Sequence, residues 1–217
     1  MSRKRTTSIR KDRNIHFSKE ERKSVSIQTT EHMINNKTIV YIDETGFNKN
    51  FIPLYGFAVK NKRCFVPGLS KSKNYSCIVA MINEKIIGLQ IIEGSVKSGD
   101  FGCFLLKLIK LNFPAKASLN NVVFFMDNAQ IHKSDSLKEL RNFIKIQFNA
   151  PYSPALNPIE ELFSLAKYYF RELNLKNNLN FLKNIYECFK YINKKQINGF
   201  IIHSFKFILN CILLNDI

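Results

Sequence analysis

Apolar positions fall into short dense runs in the first half of the chain and into helical spacing in the second. Thr38-Ile-Val-Tyr-Ile-Asp43 is β-branched and almost continuously apolar, the pattern of a strand buried on both faces. Tyr55 to Val59 and Arg63 to Val66 predict a short hairpin across Lys60-Asn61-Lys62. Tyr75 to Ile82 and Lys85 to Ile92 predict a second, turning at Asn83-Glu84. In Ser98 to Leu111, Phe101, Phe104, Leu105, Leu108 and Ile109 share one helical face. Asn121 to Met126 reads as another buried strand, ending on Asp127. Ser134 to Phe143 is expected to be a helix and Ile144 to Phe148 a short strand.

Then comes Ala150-Pro-Tyr-Ser-Pro-Ala-Leu-Asn-Pro158, whose prolines exclude regular structure until Pro158. Pro158 suits the first turn of a helix capped by Asn157 and running to about Leu173. Two further helices are expected near Leu179 to Ile192 and Lys195 to Leu214. Ahead of all this, Ser18-Lys-Glu-Glu21 fits a capping box opening a helix from about Lys19 to Ile34. Strands first, then strands alternating with helices, then helices alone predict an α/β or α+β domain.

Composition narrows the partners. The chain of 217 residues carries 33 Lys and Arg against 17 Asp and Glu, a net charge of +16. Such a surplus favours a polyanion, since neutralising phosphates releases condensed counterions. Membrane surfaces and acidic proteins are also polyanions, so charge alone does not choose. Residues Met1 to Arg13 read as a basic arm suited to phosphate contact or nuclear targeting. The five cysteines (Cys64, Cys77, Cys103, Cys188 and Cys211) are odd in number and widely spaced, as in a reduced intracellular protein without a structural zinc site. The most apolar stretch, Gly199 to Leu214, is broken by His203, Lys206 and Asn210 and reads as a buried helix, not a membrane span.

Three acids stand at the ends of predicted elements: Asp43, Asp127 and Glu160. Each alone has an ordinary explanation: a turn with Glu44-Thr45-Gly46, a turn at Asp127-Asn128, and a helix-dipole partner. Brought together they would repel, and a divalent cation with a taste for hard oxygen ligands relieves that repulsion.

The surrounding residues make the case stronger. Tyr41-Ile-Asp-Glu-Thr-Gly-Phe47, Phe125-Met-Asp-Asn-Ala-Gln-Ile-His132 and Ala150-Pro-Tyr-Ser-Pro-Ala-Leu-Asn-Pro-Ile-Glu-Glu-Leu-Phe163, in that order, resemble the motifs of the mariner-type DDE transposases and their insertion-sequence relatives. Tyr55-Gly56, Lys62-Arg63 and Glu93-Gly-Ser-Val96 fit the same pattern, and the resemblance covers about Thr38 to Phe170. It implies a ribonuclease H-like fold, a mixed central sheet with helices on both sides. It implies Asp43, Asp127 and Glu160 as catalytic, metal-binding carboxylates for Mg²⁺ or Mn²⁺, a pair of ions in the family's manner. Glu161 would point about 100° away around the helix. The resemblance further implies double-stranded DNA as partner, both transposon ends and target, with a dimer on DNA and no membrane. Location would be intracellular: the nucleus in a eukaryote, the cytoplasm in a bacterium. The interval between Asp127 and Glu160 is slightly short for the family, and Ala150 and Ala155 stand where it often has Pro and Asp.

His132 is expected to shape the loop after its strand rather than to contact DNA or move a proton, and Tyr152 to pack nearby without chemistry. The expected division is a basic arm and linker helix over 1–37 and a catalytic domain over 38–217. The segment before Thr38 is shorter than the helix-turn-helix module with which such enzymes recognise transposon ends. The expectation is therefore a metal-dependent DNA-cleaving and strand-transferring catalytic domain without that module. The alternative is an inactive DNA-binding or assembly protein that keeps the fold. An integrase or a ribonuclease H proper fits the Asn-Pro-Ile-Glu motif less well.

Overall fold

The computed structural model describes residues 16–48, 58–60, 62–63, 65, 73–115, 119–134, 137–176 and 180–214. Five strands form one sheet: β1 (Thr38–Asn48), β2 (Asn74–Ile82), β3 (Lys85–Glu93), β4 (Val122–Met126) and β5 (Lys145–Phe148). Their spatial order is β3-β2-β1-β4-β5. β1–β2 and β2–β3 pair antiparallel, whereas β1–β4 and β4–β5 pair parallel. The helices are α1 (His16–Ile34), α2 (Ser98–Asn112), the single turn α3 (Lys138–Arg141), α4 (Ile159–Lys176), α5 (Phe181–Lys190) and α6 (Lys194–Ile212).

Side chains alternate across a strand, so β1 feeds two cores. Val40 and Ile42 pack with Ile78, Ala80, Phe124 and the α2 residues Phe101, Phe104, Leu105 and Leu108. Ile39, Tyr41 and Phe47 face the other way, onto Ile159, Leu162, Phe163, Ala166 and Phe170 of α4 and onto α5. Those α4 positions recur at the three- and four-residue spacing of one helical face. Gly88 of β3 lets α2 approach, since a Cβ there would stand 2.7 Å from Leu108 Cδ1. α1 is bound into the same body. The Gln147 side chain on β5 donates to the Val25 carbonyl at 3.0 Å and to Thr29 Oγ1 at 2.8 Å.

The mixed sheet with helices on both faces is the expected ribonuclease H-like arrangement, but several local expectations change. β1 does not stop at Asp43. β2 supplies antiparallel partners from Tyr41 to Asn48, so the strand continues while its parallel pairing with β4 ends at Tyr41. α1 begins at His16, which places Ser18 inside the helix rather than at its cap; extending a formed helix costs little compared with nucleating it. Of the helix expected over Ser134 to Phe143, the described residues form the short α3, and a 3-10 turn at Gln130–Lys133 precedes it. Arg141 Nη2 donates to the carbonyls of Lys133 and Ser134, which holds this segment folded back. The Pro-rich segment also contains one 3-10 turn, Pro154–Leu156, with proline at a position needing no N–H donor. The hairpin expected over 55–66 lies mostly outside the described residues; a turn closes there from Lys62 N–H to the Val59 carbonyl. Cys77, Cys103 and Cys188 are free. No helix among the described residues is long and apolar enough to cross a membrane.

Candidate active site

The sheet opens a crevice where β1 leaves β4. Asp43 lies on β1 two residues beyond the last parallel pair, Tyr41↔Phe125, and Asp127 follows the last residue of β4. Clefts beyond the carboxyl ends of parallel strands are the usual place for ligands in such sheets. The third wall is the Pro-rich segment and the first turn of α4. A cleft of about 430 Å³ is lined by Asp43, Asp127, Asn128, Asn157 and Glu160, with residues 149–154 along its rim. All three carboxylates singled out in the sequence thus meet in one cavity.

Asp43 is 8% exposed. Its Oδ1 accepts the Glu44 N–H at 2.7 Å and its Oδ2 accepts the Asn157 amide at 3.1 Å. Burial nevertheless pushes its carboxyl up to about 8. The Glu44 hydrogen bond opposes this, and the charges of Glu44, Asp127 and Glu160 add to it. Glu160 is also raised, chiefly by burial; Lys167 opposes the shift and Asp127 reinforces it. The three acids therefore repel within one field. Asp127 differs: its hydrogen bond with His132 holds it below the ordinary range, against partial burial.

His132 is fully buried and stacks at 4.3 Å on Phe101. Its Nδ1 meets Asp127 Oδ1 and its Nε2 meets Glu44 Oε1, each at 2.9 Å. Burial alone would lower its pKa, but the two carboxylates outweigh that and lift it to about 10. With both ring nitrogens protonated, it donates to both acids. His132 thereby ties the end of β4 to β1. Because Asp43 and Glu44 are successive on β1, one faces the cleft while the other holds His132 from the opposite side of the sheet. Asn157 serves two elements: its amide donates to Asp43 while its Oδ1 accepts the Ile159 N–H at 3.4 Å as the expected cap of α4. Glu161 points elsewhere, to His203 on α6.

Two features were missed in the sequence. In the sequence Glu44 reads only as part of a turn, because its role depends on His132, a residue distant in the chain. Tyr152, assigned no chemistry, is 58% exposed at the cleft rim, with φ at +54°.

The donor set suits a hard divalent cation: acidic oxygens only, one of them buried, with mutual repulsion that a cation would relieve. Among the described residues no three His, Cys, Asp or Glu side chains are already gathered at ligand separation.

Residues 38–182 match the family model described as DDE superfamily endonuclease. No curated protein matches the sequence. Among solved structures, the pre-cleavage Mos1 transpososome superposes with a TM-score of 0.74 at 15% identity, covering 98% of this chain and 67% of that one. The catalytic domain of Mos1 mariner transposase superposes with a TM-score of 0.65 at 18% identity, covering 92% and 94%. The chain thus spans about two thirds of the full Mos1 protein and nearly all of its catalytic domain. The fold is that of the Mos1 catalytic domain, and by the match over residues 38–182 this chain belongs to the DDE superfamily of endonucleases.

Proposed function

We propose that this chain cleaves DNA strands and transfers the freed ends, with Asp43, Asp127 and Glu160 holding Mg²⁺ or Mn²⁺, two ions in the productive state. The observation that carries this is the meeting of three mutually repelling carboxylates in one cleft. Mos1 paired-end complexes solved with Mn and with Mg support the choice of metal. When bound, such ions activate the attacking oxygen and neutralise charge on the leaving oxygen of a phosphodiester.

The chain's own residues prepare the site for this. Asn157 and the Glu44 N–H fix the two oxygens of Asp43, so neither needs reorganising when a ligand arrives. The Ala129 N–H, at 3.0 Å, and His132 hold Asp127 ionised. The capped first turn of α4 sets the angle at which Glu160 enters. The net charge of +16 favours DNA as partner, and the Mos1 paired-end complexes support a dimeric assembly on it. We place the protein inside the cell, in the nucleus if the host is a eukaryote and in the cytoplasm if it is a bacterium, and divide it into an arm with a linker helix over 1–37 and a catalytic domain over 38–217.

The test is Mn²⁺-dependent nicking of supercoiled DNA by the wild type and by Asp43→Asn, Asp127→Asn and Glu160→Gln. Each variant should lose at least about a hundredfold in rate while still binding DNA. Nicking at the wild-type rate by any one removes that residue from the site. A wild type that binds DNA but never nicks it identifies an inactive, DNA-binding descendant of the enzyme.

A further inference from the structure

We infer that Tyr152 is a stacking platform for an unpaired nucleobase next to the scissile phosphate, so that the Pro-rich segment contacts DNA as well as delivering Glu160. The inference rests on the function proposed above.

Tyr152 sits in the left-handed region, with φ at +54°, which an L side chain adopts only at a cost. The surroundings enforce that conformation. Asn149, itself buried, donates its side-chain amide to the Ser153 carbonyl at 2.8 Å and accepts the Ala150 N–H at 2.8 Å. Ser153 Oγ, on a second buried residue, donates to the Pro151 carbonyl at 3.0 Å. Two buried polar side chains thus brace the backbone on both sides of Tyr152. Behind them Leu156 packs against Ile208 and Cys211 of α6. Tyr152 is 58% exposed.

Its place fits a nucleic acid. Tyr152 lines the same cleft as Asp43, Asp127 and Glu160, between Pro151 and Pro154. A phosphate held at the carboxylates through a cation leaves the adjoining base at the rim. The surface offered there is a flat ring flanked by two prolines. Every base has a π-face, so such a platform binds without reading sequence. An aromatic ring also keeps few rotatable bonds, so ordering it on binding costs little.

The chain contains no tryptophan, so Tyr152→Trp introduces a single fluorescent reporter at the platform. It is titrated, with Ca²⁺ in place of Mn²⁺, with a short duplex bearing a single-stranded 3′ tail and with the same duplex abasic at the tail nucleotides. Stacking predicts strong quenching by the first and weak quenching by the second; equal quenching by both overturns the inference. In binding assays Tyr152→Phe should match the wild type. Tyr152→Ala and Tyr152→Gly should weaken binding of the tailed duplex by roughly 5- to 100-fold, with little change for the abasic one. Tyr152→Gly relieves the positive φ and so keeps the loop folded, which separates lost stacking from lost structure. Loss in Tyr152→Phe equal to that in Tyr152→Ala assigns the role to the hydroxyl and overturns the inference. So does wild-type binding by Tyr152→Gly. If the wild type itself fails to nick DNA with Mn²⁺, the functional reading falls. If it nicks and Tyr152→Gly binds normally, only the platform falls.

Discussion

Replacing Asp43 with asparagine should stabilise the metal-free protein at alkaline pH while abolishing its response to metal. The carboxyl titrates near 8 in the folded chain against 3.8 as a free side chain. A raised carboxyl pKa means that the folded state keeps a proton the unfolded state has lost. This contribution to stability therefore falls as pH rises from about 4 to about 8, then levels off. A shift of this size sets a ceiling of roughly 5–6 kcal/mol at pH 8 and above. The cleft is open to water and the carboxylate keeps two hydrogen bonds, so about 2 kcal/mol is the expected share. The amide removes that penalty but loses one of the two bonds, since its NH₂ group must face either the Glu44 N–H or the Asn157 amide. That loss costs about 1 kcal/mol. The net gain of about 1 kcal/mol corresponds to a melting temperature roughly 2–4 °C higher at pH 8.5 in EDTA. At pH 5 the gain should vanish. Adding Mn²⁺ at pH 8.5 should raise the wild-type melting temperature and leave the variant nearly unchanged. The measurement is a thermal melt of both proteins at the two pH values, with and without metal. A variant less stable than wild type by the same margin at both pH values would refute the burial argument. Equal stabilisation of both proteins by Mn²⁺ would refute Asp43 as a ligand.

Other outcomes follow from the same contacts. His132→Ala should cost about 2–4 kcal/mol at pH 7, because it strands Glu44 and Asp127 without their shared donor. The folded pKa of about 10 lies above the unfolded 6.5, so the bridge is fully stabilising below pH 6.5 and is lost as pH rises through 10. Denaturant melts at pH 7 and 10.5 should show the gap between His132→Ala and wild type narrowing, and a constant gap contradicts a charged bridge. Gly88→Ala should destabilise by about 1–3 kcal/mol, because its Cβ meets Leu108 and Phe104, at 2.7 and 3.0 Å; an unchanged melting temperature would mean that α2 yields freely. A chain shortened to begin at Lys37 should lose about 3 kcal/mol or more in urea melts, since Gln147 loses its partners on α1 and the α6 face beneath is exposed. Wild-type stability in that shortened chain would make α1 an appendage.

The sequence by itself determined most of the elements and singled out the candidate acids. Continuous, β-branched apolar runs at 38–43 and 121–126 read as buried strands, and the spacing over 98–111 and 158–173 places one face of a helix inward. Such signals are local, because they repeat at the period of the backbone itself. The three motifs in order also singled out Asp43, Asp127 and Glu160. Tertiary structure decided what no local period encodes. β1 runs past Asp43 because β2, thirty residues on, continues to pair with it. The helix expected after Asp127 is cut short, with His132 of the intervening turn drawn into the core by Glu44, eighty-eight residues earlier. Asn157 was legible as a helix cap, but its second bond to Asp43 exists only once α4 docks beneath the sheet. Tyr152 was legible only as an aromatic between prolines; its outward aim depends on the buried bonds of Asn149 and Ser153. Each case is a hydrogen bond or ladder between segments far apart in the chain. The partner is chosen by how the layers stack and not by the residues on either side.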